Sequence, residues 1–330
     1  MKIAVDAMGG DYAPEEIIKG VILFLEERKI EITLLGDQRK IEELIQKNKP
    51  DEKIDQYLSI IHCQEYVSNN ESPLKALLSK KKSSIMIGMN LLKDKKTDAF
   101  ISAGHSGAMM AGALLVLGRF PKLQRPAIPA VLPTLKGQVV ILDVGANVDC
   151  KPDHLAQFAL MGNKYAQYIL KIENPKIGLL NIGEEENKGN ILAQSSYKIL
   201  KNQKLNFIGN IEGKDIFKGK ADVIVCDGFI GNILLKTSEG LAKFLMTEIN
   251  QKIIEKLPLS SEMELLRQEF SQLAKVTDYT EYGASPLLGV KGLCFICHGR
   301  SKAKTIKNAI INAYKFIQSN ILQQLELKDN

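Results

Sequence analysis

Short β-rich runs alternate with helical stretches along most of the chain, and this rhythm limits the fold more than any other feature. The runs fall at 2–6, 31–35, 57–61, 98–102, 128–132, 138–143, 176–182, 205–208, 222–226 and 290–297. Several carry apolar residues on both parities, as strands covered on both faces do. Between them, apolar residues recur at spacings of three and four. That spacing predicts helices over 14–28, 37–48, 73–93, 105–117, 153–171 and 188–201. Pro14 opens the first helix, where its missing N–H is tolerated. The alternation predicts an α/β fold, a large mostly parallel sheet with helices on both faces.

One region departs from the rhythm. From 233 to 276 no strand pattern occurs, only two helical patterns separated by Leu257-Pro258. The first carries Leu241, Phe244, Leu245, Ile249, Ile253 and Leu257; the second carries Met263, Leu266, Phe270 and Leu273. This predicts a helical hairpin inserted at about 237–276 in a single catalytic domain spanning 1–330. A last helix, 301–325, has Ile306, Ile310, Ala313, Ile317 and Ile321 on one stripe.

Composition narrows the function classes. Lysine plus arginine number 44 against 38 acids, a mild and dispersed excess that suits an anionic substrate, an acidic partner or a membrane surface. Tryptophan is absent and aromatics are 6%, so stacking platforms for single-stranded nucleic acid are not expected. MKIAVDAMGGDYAPE has no signal-length apolar run, and GAMMAGALLVLG (107–118) falls short of the roughly 20 residues of a membrane span. A cytoplasmic protein is expected, with that segment a core helix. The five cysteines do not suggest a disulfide framework. Cys294-Phe-Ile-Cys297-His298 matches the haem c attachment spacing, yet it sits in a strand-like run and reads better as buried thiols.

In a parallel α/β sheet, ligands bind beyond the carboxyl ends of the strands. Those ends are rich in glycine and polar residues here. Asp6-Ala-Met-Gly9-Gly10-Asp11 follows the first run, and Ser102 with Ala-Gly104-His105-Ser106-Gly107 closes the fourth. Gly145-Ala-Asn147 follows 138–143, Gly183-Glu184-Glu185-Glu186-Asn187-Lys188 follows 176–182, and Asp227-Gly228-Phe-Ile-Gly231-Asn232 follows 222–226. Such glycines let backbone N–H groups approach an anion, and helix N-termini favour one. The collection points to a phosphate or acyl phosphate pocket. The chain has no G-x-G-x-x-G after its first strand and no G-x-x-x-x-G-K-[ST] anywhere, so neither a dinucleotide nor a P-loop site is supported. Of the four histidines only His105 lies in a strand-end glycine loop, and no serine-type triad is evident.

Taken in order, MKIAVDAMGGDYAPE, ISAGHSGAMMAGALLVLGR, LDVGANVDCKPDHLAQFA, GLLNIGEEENKGN, ADVIVCDGFIGNILLKTSEG and LLGVKGLCFICHGRSKAKTIKNAI resemble the bacterial phosphate acyltransferases of phospholipid synthesis, the PlsX family. The likeness runs from Met1 to about residue 315. It implies transfer of a fatty acyl group from acyl carrier protein to inorganic phosphate, giving acyl phosphate. It implies a three-layer α/β/α fold similar to phosphotransacetylase and isocitrate dehydrogenase, and a homodimer with no redox cofactor and no metal. It also implies a peripheral place at the inner face of the membrane and a membrane-bound glycerol-phosphate acyltransferase that uses the product. The 237–276 hairpin has three readings: dimer packing or covering, a membrane-surface contact as the resemblance implies, or shelter for the acyl chain.

By the same resemblance, the family's important lysine and asparagine fall on Lys188 and Asn232. Lys188 is assigned to phosphate and Asn232 to oxyanion or phosphate contact. Asp6, Gly9, Gly10, Asp11, Ser102, Gly104, His105, Ser106, Asn147, Glu184, Asp227 and Gly228 complete the expected phosphate site. The family's Gly-Asn-Thr-Gly loop reads Gly104-His105-Ser106-Gly107 here, so an imidazole replaces an amide. Its Tyr-Gly-Gly-Ala-Pro stretch reads Tyr282-Gly283-Ala284-Ser285-Pro286. Arg119, Lys122, Arg125, Lys291 and Arg300 are candidate contacts for an acidic carrier protein. Two alternatives share these features: a phosphotransacetylase-like enzyme acting on short acyl-CoA, and a non-catalytic scaffold for lipid-synthesis enzymes.

Overall fold

A computed structural model of the chain describes residues 1–48, 52–68, 70–252, 261–277 and 281–326. Its strands are β1 (Lys2–Asp6), β2 (Glu31–Gly36), β3 (Leu58–His62), β4 (Ala99–Ser102), β5 (Ala130–Thr134), β6 (Gly137–Leu142), β7 (Ile177–Asn181), β8 (Phe207–Glu212), β9 (Val223–Val225), β10 (Ser285–Pro286) and β11 (Leu293–Ile296). Its α-helices are α1 (Glu15–Glu27), α2 (Gln38–Asn48), α3 (Pro73–Ser79), α4 (Ser84–Lys93), α5 (Ser106–Gly112), α6 (Pro152–Tyr168), α7 (Ile191–Lys201), α8 (Gly228–Lys252), α9 (Ser261–Thr277), α10 (Ala303–Ser319) and α11 (Ile321–Leu325).

The α/β class and the mostly parallel pairing are as expected. Among the described residues the strands are shared between two sheets rather than gathered in one. Unit 1 comprises residues 1–128, 167–172 and 282–330, and unit 2 comprises 129–166 and 173–281.

The unit 1 sheet has the order β10-β11-β4-β1-β2-β3, antiparallel only between β10 and β11. Ile3, Ala4 and Val5 of central β1 are buried at both parities, which is why this run shows no polar alternation. Helix α1 buries Ile17, Ile18, Val21, Phe24 and Leu25, and packs on α10. The rings of Phe295 on β11 and Phe316 on α10 meet edge to face at 5.2 Å. Such a contact adds about 0.5–1.5 kcal/mol beyond area burial.

The unit 2 sheet has the order β5-β6-β9-β7-β8, antiparallel only between β5 and β6. Its centre is the short, fully buried Val223-Ile224-Val225.

Local chemistry explains where elements depart from the expected ranges. The helix expected over 73–93 is two helices. Lys80 leaves the helical path to reach Glu71 Oε2 at 2.7 Å and the Tyr66 carbonyl at 3.0 Å, and extended Ser83 starts α4. The helix expected from 188 begins at Ile191. Gly189 takes a φ of +89°, and the Asn190 side chain accepts from Ala193 N at 2.9 Å as the cap. A cap of this kind contributes about 1 kcal/mol. The last helix is interrupted at Asn320, whose φ of 55° ends α10. The stretch 105–117 is α5 followed by a π-helical turn over Ala113–Leu117; Ala108, Met109, Ala113 and Leu117 are buried and Leu115 is exposed. The two-residue β10 was not anticipated.

The region expected to be a hairpin contains α8 and α9. The expected break at Leu257-Pro258, with Ile253, lies outside the described residues, as does the side chain of Met263. Leu241, Phe244 and Leu245 on α8, and Leu265, Leu266 and Leu273 on α9, are exposed. Among the described residues no helix is long and apolar enough to cross a membrane. Cys294 and Cys297 are buried, and burial pushes both thiols up to about 12, so neither is a thiolate at neutral pH.

Candidate functional site

Strands β6, β9 and β7 run parallel, so the loops leaving their carboxyl ends share one edge of the unit 2 sheet. These loops carry Asn147, then Asp227 to Asn232, then Glu184 to Lys188.

The first loop is organised by Asp143, the residue after β6, which is fully buried. Its Oδ1 accepts from Ala146 N at 3.1 Å. Its Oδ2 accepts from Asn147 N at 2.6 Å and from Asn147 Nδ2 at 2.9 Å. The Asn147 carbonyl in turn accepts from Gly228 N at 2.7 Å, which joins this loop to the start of α8. At Gly231 an added Cβ would fall on the Asp143 carbonyl oxygen, well inside contact distance. Only glycine permits that approach.

Helix α8 opens at this junction. Asp227, mostly buried, caps it by accepting from Ile230 N at 2.9 Å. Asn232 stands exposed in the first turn, its side chain about 4 Å from where a Cβ on Gly145 would lie. The N-terminal end of a long helix favours negative charge there.

The third loop holds Lys188. Three side chains brace its backbone: Asn210 donates to the Glu185 carbonyl at 2.7 Å, Asn181 to the Lys188 carbonyl at 3.1 Å, and Gln194 to the Asn187 carbonyl at 2.9 Å. The stem of Lys188 crosses buried Gly183, its Cγ standing 2.9 Å from the Cβ position there. The ammonium is exposed. Among the described residues it makes no ion pair, although three glutamates precede it. Glu184 pairs with Lys220 at 2.8 Å and Glu186 with Lys201 at 2.9 Å. Lys220 holds the Glu184 carboxyl below its ordinary value, while Glu184 and then Asp215 hold the Lys220 ammonium up.

Unit 1 has its own strand-end edge, formed by the loops after β1, β4 and β11. Asp6 is buried, and its Oδ2 accepts from Ser102 Oγ at 2.7 Å. Burial pushes the Asp6 carboxyl up, opposed by hydrogen bonds from Ser102, Ser84, Met8 N and Gly9 N. Ser102 Oγ also accepts from Gly104 N at 3.0 Å. The one hydroxyl proton of Ser102 is thus given to Asp6. Gly9 lies against Asp6 and the Gly104 backbone, and Gly10 against Ala103. Asp11 N donates to the Gly299 carbonyl at 2.7 Å.

His105 rather than Ser106 caps α5. Its Nδ1 accepts from Gly107 N at 3.1 Å, so in the neutral ring Nε2 carries the proton and donates to the Glu71 carbonyl at 3.1 Å. Ser106 is exposed at the helix start.

The sheet edges therefore gather Asp6, Gly9, Gly10, Asp11, Ser102, Gly104, His105 and Ser106 in unit 1. They gather Asn147, Glu184, Lys188, Asp227, Gly228 and Asn232 in unit 2. Within each edge some polar groups face inward: Ser102, Asp227 and the Asn147 amide already have internal partners. Sequence reasoning missed Asp143, Lys201 and Lys220. Asp143 had a signal, since it ends a strand run immediately before Val-Gly-Ala-Asn, much as Asp6 ends one before Ala-Met-Gly-Gly.

A family model described as "Fatty acid synthesis protein" matches residues 1–324. A phosphate acyltransferase from Thermoanaerobacterium thermosaccharolyticum is 47% identical over 326 residues, covering 99% of this chain and 96% of the relative. One from Dictyoglomus turgidum is 48% identical over 328 residues, covering 98% and 96%. Among solved structures, a phosphotransacetylase from Streptococcus pyogenes aligns over 97% of this chain and 94% of its own, with a TM-score of 0.63 at 20% identity. A branched-chain phosphotransacylase from Enterococcus faecalis aligns over 96% and 99%, with a TM-score of 0.59 at 12% identity. At those identities the structural likeness speaks to the fold. Over nearly its whole length, then, the chain belongs to the fatty acid synthesis protein family, together with relatives named phosphate acyltransferase.

Proposed function

We propose that the protein transfers a fatty acyl group from an acyl carrier protein thioester to inorganic phosphate, and that the unit 2 sheet edge carries the chemistry. The observation that supports this reading most is an exposed lysine with no ion pair among the described residues, on a braced loop and on the same edge as the positive end of a long helix. Phosphate is strongly hydrated and needs fixed donors to replace its water. Lys188 supplies the charge. Asn232 supplies a donor to phosphate or to the oxyanion of the tetrahedral intermediate. Asp143, Asn147, Asp227 and Gly228 shape the loops, and Glu184 acts through its pair with Lys220 rather than on phosphate.

The step balances without a covalent enzyme intermediate. A phosphate oxygen forms the bond to the thioester carbon, and the carbon–sulfur bond breaks. The thiolate leaves with the electron pair and takes a proton from solvent. A thiol of pKa about 8–9 needs no strong acid to depart. The product would feed a membrane-bound glycerol-phosphate acyltransferase.

A long acyl chain fits this edge better than an acetyl group. Val148 and Ile182 on its loops, and Ile191, Phe229 and Ile230 at the starts of α7 and α8, are all exposed, Ile182 at 82% and Ile191 at 85%. Large apolar side chains left uncovered suit an apolar ligand. The reading is tested by offering purified protein phosphate with either an acyl carrier thioester or a short acyl-CoA. Acyl phosphate should form from the carrier thioester in preference.

The apolar faces of α8 and α9 are assigned to packing against a second copy of the chain. Wild type should sediment as a dimer, and a Phe244→Glu/Leu266→Glu variant as a monomer. A monomeric wild type would rule this packing out.

A further inference from the structure

Lys188 sits in a segment that ought to neutralise it. Glu184, Glu185 and Glu186 lie two to four residues before it. With Lys188 counted, the segment carries a net charge of −2, which repels a phosphate ion. The structure shows how this is overcome. Lys220 holds Glu184 at 2.8 Å and Lys201 holds Glu186 at 2.9 Å, and these two ammonium groups bring the local net charge to zero. We propose that Lys220 and Lys201 are positioning residues for phosphate use: by occupying the carboxylates of Glu184 and Glu186 they keep Lys188 open to the anion. This rests on the reading that Lys188 binds phosphate.

Both pairs are exposed, and exposed pairs stabilise a fold little. Their consequence here is occupancy rather than stability. A carboxylate engaged elsewhere does not compete for Lys188. One released into a water-facing site within a few ångströms of Lys188 would weaken an anion's hold by roughly 3- to 10-fold. Lys220 has a second duty, because it also contacts the buried Asp215 at 2.9 Å. Lys218 reaches the same carboxylate at 3.0 Å and remains after Lys220 is removed. Among the described residues Lys201 carries no such duty: besides Glu186 it only overlies the Tyr197 ring, at 5.8 Å. The Lys201 arm is therefore free of any disturbance around Asp215.

Steady-state kinetics on two double-mutant cycles test the proposal, with phosphate as the varied substrate. Lys220→Ala and Lys201→Ala should each raise the KM for phosphate about 3- to 10-fold, with kcat within about two-fold of wild type. Adding Glu184→Gln to the first, and Glu186→Gln to the second, should bring KM back toward wild type. A lysine that merely held the loop together would not be rescued by removing its partner's charge. The proposal is overturned if neither single variant changes the phosphate KM, or if the increase persists in both double variants. In those cases wild type still makes acyl phosphate and the parent reading stands. A wild type that makes none removes both.

Discussion

Lys188→Ala should lower kcat/KM for acyl transfer to phosphate by more than about 10-fold, equivalent to about 1.4 kcal/mol or more of transition-state stabilisation. The loop that presents this residue is held by Asn181, Gln194 and Asn210 through backbone carbonyls, so truncating the side chain leaves the brace intact. The exposed ammonium makes no ion pair among the described residues, so its loss strands no buried charge. The variant should therefore fold normally, and the lost rate should report on the acceptor phosphate alone. Parallel kinetics and circular dichroism check this. Near-normal turnover in a folded variant would remove Lys188 from the mechanism.

Gly231→Ala should destabilise the protein by about 3 kcal/mol, the upper part of the usual range for forcing an extra methyl into a packed site. The new Cβ would meet the carbonyl oxygen of Asp143. That residue cannot easily retreat. Its own side chain accepts from Ala146 N, Asn147 N and Asn147 Nδ2, its backbone N donates to the Cys226 carbonyl, and it is fully buried. Gly240 on the same helix is the control. It is exposed, and a Cβ there meets nothing within 4 Å. Gly240→Ala should be neutral or stabilising by up to about 1 kcal/mol. Urea denaturation of the two variants side by side decides between clash and helix propensity. Equal midpoints would mean that the approach of α8 to Asp143 is not what requires glycine.

The sequence made visible what depends on neighbours along the chain. Apolar runs marked the strands, and five of the strand ends announced glycine loops. So the residues of both sheet edges could be named before any geometry. What stayed hidden depends on contacts between distant positions. Ser102 donates a hydrogen bond to Asp6, 96 residues away, and Glu184 meets Lys220, 36 residues away. No local pattern signals either partner. GEEENKG could be read as a cation loop, but nothing in it shows where the glutamates turn. In the structure Glu184 and Glu186 turn to other lysines. The boundaries that moved did so for reasons present in the letters. Gly189-Asn190 supplies a turn and a cap, and Lys80 to Ser83 supply a break that helical spacing alone passes over. The division of strands between two sheets is set by which strands pair, and alternation does not encode that.

The most direct test of the function is to detect the product. Purified protein is incubated with inorganic phosphate and a long-chain acyl carrier protein thioester, and acyl phosphate is trapped with hydroxylamine as the hydroxamate. A parallel reaction contains short-chain acyl-CoA instead. The account predicts phosphate-dependent hydroxamate from the carrier thioester, much less from the short acyl-CoA, and a loss of more than about 10-fold with Lys188→Ala. No phosphate-dependent hydroxamate from a folded protein, or a clear preference for the short acyl-CoA, would contradict it.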